Sequence, residues 1–211
     1  MYTNHDIGFS FSYPAELNAE SAESLAAKWK RATDKSDPKY KASDACTHIL
    51  FHADRKDKPG VGASISIYGE GYSPKAEITV PVSGSVTITE MNQQCLPAEF
   101  KGREDEVLSA FASGVGEEPG MKLIGQPMWY EVEGHKVHAG IAKDAGNSTK
   151  STSPAALPAD YLADVAVNVG GHLVLFMFET PDLYSLNKLV HGAVQFGGGK
   201  SKPLLPLNIT D

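Results

Sequence analysis

Residues Leu173–Phe178 form an unbroken apolar run, Leu-Val-Leu-Phe-Met-Phe. A strand points successive side chains to opposite faces, so a run with no polar residue on either face requires cover on both. His172–Phe178 is too short to cross a membrane as a helix. The flanks support a strand. Ala163, Val165, Val167 and Val169 alternate with Asp164 and Asn168, the period of a half-buried strand. Gly170-Gly171 between the two segments can take the positive φ angles of a two-residue hairpin turn. The spacing therefore predicts a hairpin at the middle of a sheet. A helix should follow, with Thr180 as cap, Pro181 at its first position and Leu183, Leu186, Leu189, Val190 and Val194 as its apolar stripe. Gly197-Gly198-Gly199 would end it.

The rest of the chain supplies further elements. Phe9, Phe11 and Tyr13 alternate with Ser10 and Ser12 in a first strand that Pro14 stops. Asn18–Thr33 reads as a helix with Leu25 and Trp29 on one face. Ala45–Ala53 reads as a strand, with Ile49 and Phe51 on one face and Cys46, His48, Leu50 and His52 on the other. Val61–Ile67 is another strand, and Ala76–Val82 with Ser85–Thr89 makes a hairpin around Ser83-Gly84. Glu90–Lys101 has no clear period. Gly102–Gly114 is a helix with Val107, Leu108 and Phe111 as its stripe. Met128–Val132 and His135–Ile141 flank Glu133-Gly134 as a second hairpin. Ala145–Asp160 is a long connection rich in Ser, Thr, Pro, Ala and Gly. The expected organisation is one domain over residues 1–199, then a tail, 200–211, whose leucines either dock on the body or stay loose.

Formal net charge is −7, which argues against binding nucleic acid. No apolar run reaches the length of a transmembrane helix. The first residues lack the charged and apolar regions of a signal peptide, and a mature exported chain would read the same way. Cys46 and Cys95 share no metal-ligand spacing. In an exported protein they could pair and close a loop of about fifty residues; in a cytosolic one they would be reduced thiols.

No motif carries strong chemistry. His48 and His52 on one strand would lie about 13 Å apart, too far to share an ion. Cys46 and His48 could share one but lack identifiable further ligands, and His135 and His138 point to opposite faces of their strand. No G-x-S-x-G elbow is present. Gly69-Glu70-Gly71 lacks the rest of a phosphate loop, and Gly197–Gly199 follows a helix where a phosphate loop would open one. Lys28, Lys30, Arg31, Lys35, Lys39 and Lys41 form the one basic cluster, read as solvated surface. Trp129, Tyr130 and Tyr68 could line a groove, but sheet decoration is the plainer role. The expectation is no catalytic, metal or cofactor site, and a protein or small molecule as partner.

The opening Gly8-Phe9-Ser10-Phe11-Ser12-Tyr13-Pro14, the late hairpin and the closing Leu189–Phe196 segment resemble the PsbP/Mog1-like proteins, which include small bacterial exported proteins. The resemblance covers about a quarter of the chain. It implies an α+β fold, a mainly antiparallel sheet with helices on both faces (an α/β/α sandwich), and an accessory or scaffold role. The reading carried forward is a non-catalytic exported or periplasmic accessory or binding domain. Its alternatives are a small-molecule or metal-dependent enzyme assembled from distant residues, a subunit of a cell-envelope assembly, and a cytoplasmic location.

Overall fold

A computed structural model describes residues 1–41, 44–55, 82–145, 160–206 and 208–210. The strand expected over Val61–Ile67, the arm up to Pro81 and the interior of the long connection lie outside the described residues.

In chain order the strands are β1 (Tyr2–Asn4), β2 (Phe9–Phe11), β3 (Asn18–Ala19), β4 (Thr47–Arg55), β5 (Gly84–Met91), β6 (Met121–Leu123), β7 (Met128–Val132), β8 (His135–Asp144), β9 (Tyr161–Val169), β10 (His172–Thr180), β11 (Ala193–Phe196) and β12 (Lys202–Pro203). The helices are α1 (Ala22–Thr33), α2 (Glu104–Gly114) and α3 (Leu183–Val190). The large sheet runs β3-β4-β5-β10-β9-β8-β6, with β7 also on β8, and every pairing is antiparallel. A smaller sheet, β1-β2-β11-β12, lies across one face. The fold is α+β, a large antiparallel sheet flanked by helices.

β10 occupies the middle of the large sheet. The β9–β10 turn is made by Gly170 and Gly171 at φ 59° and 93°, a conformation that side chains with a Cβ resist. Val174, Phe176 and Phe178 point to the inner face and are fully buried. The small sheet and α3 cover them: Phe9 and Phe11 ring centroids lie 5.7 and 5.5 Å from that of Phe176, and Leu186, Leu189 and Val190 join the same core. The outer face is covered differently. Leu173 is buried beneath Val107 and Leu108 of α2, but Leu175 and Met177 are only half-buried. The cover expected on both faces is complete on one and partial on the other.

Several boundaries depart from the sequence reading. The closing helix starts at Asp182, whose carboxylate accepts from the Ser185 amide at 2.7 Å. Thr180 is the last residue of β10, because a carboxylate at a helix N-terminus caps as a hydroxyl does and adds a favourable charge. The helix stops at Val190, and Val194 belongs to β11, where it pairs with Phe11. Gly192 makes the change possible: a Cβ there would sit 2.5 Å from the Phe11 ring. At the other end of the chain, α1 begins at Ala22 behind a Ser21 cap, and Asn18–Ala19 pairs with β4. In β4 a register shift between Ile49 and Phe51 pairs Ile49 with Thr89 and Phe51 with Ile88. The alternation expected across Ala45–Ala53 therefore inverts mid-strand, placing Phe51 in the core and His52 on the face of Ile49. Gly84 opens β5 opposite Arg55.

Cys46 and Cys95 form a disulfide with Cα atoms 5.7 Å apart, joining the start of β4 to a short 3-10 turn over Gln93–Cys95. Residues set apart as a tail dock on the body: Leu204 and Leu205 are fully buried, and their amides donate to Gly192 and Val190 carbonyls at 3.0 Å.

α2 rests on β8 at Gly140, where a Cβ would lie 1.5 Å from the Ala112 carbonyl oxygen. Gly140→Ala is expected to lower stability by about 3 kcal/mol, measured by thermal melt. Gly114→Ala is the control, since no atom lies within 4 Å of that site.

Candidate binding groove

The register of the large sheet lays out its outer face in rows. One row reads Thr47, Met91, Leu173; the next Ile49, Thr89, Leu175, Ala166, His138; the next His52, Thr87, Met177, Asp164, Gly140. α1 packs over β4 and α2 over β8 and β9. Between them the outer surface of β10 at Leu175 and Met177 is only partly covered, although α2 reaches β10 at Leu173. Two adjoining cavities lie there. One, of about 180 Å³, is walled by Leu108 and Phe111 of α2 and floored by Leu175. The other, of about 370 Å³, is walled by Leu25, Trp29 and Ala32 of α1. Thr47, Thr89 and Met177 line both, which makes them one groove. Its surface is mostly apolar. Lys28 borders it, with its ammonium 2.6 Å from a Glu20 oxygen.

The groove's polar limit lies along the Met177 row. His52 Nδ1 sits 2.9 Å from Thr87 Oγ1. On the other side, Asp164 stands between Met177 and Gly140. Burial, reinforced by the Glu118 and Glu179 charges, pushes its carboxyl up to about 7.

The residues singled out in the sequence are scattered. The β4 register shift puts His48 and His52 on different faces, and the His48 ring stacks on Trp29 at 4.3 Å. Burial lowers the His48 pKa, with the Glu90 charge opposing it. Cys46 is in the disulfide, so it offers no thiolate. His135 Nδ1 lies 3.0 Å from the Asn168 carbonyl oxygen. His138 is buried beside α2, its Nε2 4.0 Å from Asp105 and without a hydrogen-bond partner among the described residues. No group of three or more His, Cys, Asp or Glu side chains placed to hold a metal occurs among the described residues. Trp129 is exposed with Lys136 Nζ 5.1 Å above its ring, and the Tyr130 hydroxyl donates to the Leu204 carbonyl at 2.6 Å. Neither lines the groove. Sequence reasoning missed Leu175 and Met177 as groove floor. The available signal was the pair Thr87 and Thr89, half-polar residues on the strand that adjoins an apolar one.

No family model matches this chain, and no curated protein matches it significantly.

Asp164 gives a pH signature. Below about pH 4 its carboxyl is protonated in both folded and unfolded chains. As pH rises towards about 7 the unfolded chain releases the proton and the folded one holds it, so stability falls through that window and then levels. Asp164→Asn removes the effect. The variant should melt several degrees higher than wild type at pH 8 and at nearly the same temperature at pH 4.

Proposed function

We propose that this chain is a non-catalytic binding domain that takes a small apolar molecule in the groove between α1 and α2. The observation that carries the reading is the half-open state of Leu175 and Met177 at the centre of the main sheet. Apolar side chains on a central strand are normally covered, and a walled apolar concavity is the usual form of a small-ligand site. The size of the two cavities suits a small molecule and not a folded partner. Threonines, not convergent titratable groups, edge the floor, which favours binding over acid–base chemistry. We further propose that the domain works in an oxidising, exported setting, a placement supported by the Cys46–Cys95 disulfide. Kinship with the PsbP/Mog1-like accessory proteins belongs to the same proposal, supported by the flanked antiparallel sheet.

The test is a fluorescence titration with anilinonaphthalene sulfonate. Trp129→Phe leaves Trp29, in the groove wall, as the single tryptophan reporter. Saturable dye binding with a change in Trp29 emission is expected. Met177→Glu should weaken it at least tenfold with an unchanged circular dichroism spectrum. Dye binding indifferent to Met177→Glu would refute the groove as the site.

A further inference from the structure

A further cavity, of about 410 Å³, opens at the end of the sheet where β4, β5 and β10 meet the β9–β10 turn. It is more polar than the groove, with Trp29 and Met91 as its apolar part. Trp29, His48, Glu90, Asn92, Gln93 and His172 line it. His172 Nδ1 lies 2.6 Å from Glu90 Oε1, and His48 pairs with Glu90 across the β4–β5 ladder while its ring stacks on Trp29. The wall carrying Asn92 and Gln93 is held in place. The Asn92 amide donates to the Cys46 carbonyl at 2.8 Å, the Cys95 amide donates to the Asn92 carbonyl at 2.9 Å, and the disulfide ties Cys46 to Cys95. Gln93 Nε2 donates to the Gly171 carbonyl, closing the wall against the turn.

We propose that this cavity binds a neutral polyhydroxylated molecule of monosaccharide size. The polar atoms left over are of both kinds. Glu90 Oε2 and Gln93 Oε1 remain as acceptors and Asn92 Nδ2 as a donor, none with a protein hydrogen-bond partner among the described residues. The second nitrogen of His172 and the ring nitrogens of His48 add to them. Hydroxyl groups donate and accept at once, so they satisfy such a mixed set where a purely anionic or purely cationic ligand cannot. No Lys or Arg lines the cavity, and Glu90 is an acceptor there, which disfavours phosphate and carboxylate ligands. The Trp29–His48 pair supplies an aromatic ledge whose electron-rich surface suits the C–H side of a sugar ring. Ser, Thr, Cys, Lys and Tyr are absent from the lining. The His172–Glu90 pair thus has no side-chain nucleophile beside it, and the inference is one of binding.

The experiment is a two-dimensional amide NMR titration of the whole chain with a panel of neutral mono- and disaccharides, with zinc chloride and inorganic phosphate as separate arms. At least one saccharide should shift the His48, Glu90, Asn92 and His172 signals saturably at millimolar concentration. Glu90→Gln and His172→Ala should each weaken that binding at least fivefold, with Gln93→Ala as a replacement if either variant melts early. Met177→Glu should leave saccharide binding unchanged while weakening dye binding in the groove at least tenfold, so the two sites fail independently. No saccharide response at these residues would overturn the proposal. Preferential shifts with zinc or phosphate, or a saccharide response that survives both Glu90→Gln and His172→Ala, would do so as well.

Discussion

The exclusion of water from Phe176 and Phe178 is the constraint on which the rest of this molecule depends. Both rings are fully buried on the inner face of the central strand. Each contributes about 1.5–3 kcal/mol by leaving water, and the edge-on and tilted ring contacts with Phe9 and Phe11 add to that. The cover comes from both ends of the chain. β1 and β2 arrive from the N-terminal side and β11 and β12 from the C-terminal side, and they close into a single small sheet over the rings. Removing either end would expose the same aromatic surface, so the two termini are energetically coupled through residues more than a hundred positions away from Phe9.

The outer face follows a different rule. Gly140 lets the α2 backbone settle directly onto β8, with Ala112 against it. That close approach anchors α2 over β8 and β9. α1 is held over β4 on the other side by Leu25 and by the Trp29–His48 stack. α2 covers the central strand only at Leu173, and the groove over Leu175 and Met177 is the space between two anchors. The polar cavity at the end of the sheet has its own anchor in the disulfide, which fixes the Asn92–Cys95 turn against the start of β4. Apolar groove and polar cavity are thus separate consequences of how the outer elements are pinned, with Trp29 a wall of both.

Much of the architecture was legible because local chemistry and tertiary demand agree. β9 has the bounds expected from its alternation, the two glycines turn it into β10, which runs two residues past Phe178, and Glu133-Gly134 turns β7 into β8 at positive φ. The departures occur where a non-local contact outweighs a local pattern. Val194 continues the helical stripe of Leu186 and Val190, yet pairing with Phe11 draws it into a strand. His48 and His52 alternate in sequence, yet one extra residue in β4 moves His52 to the other face. Leu175 and Met177 read as core, yet helix placement leaves them at a groove.

Sequence alone determined that the Leu173–Phe178 ribbon must lie mid-sheet, because an apolar run this short has no other way to shelter both faces. It also determined the glycine turns, because positive φ excludes most other residues. Tertiary structure decided which face of that ribbon is dry and which is half-open, and which polar residues from β4, β5 and β10 meet at one end. Those outcomes depend on where separate elements come to rest against one another. Such distances are set by packing at Gly140, Phe11 and the disulfide, and no local period in the chain encodes them.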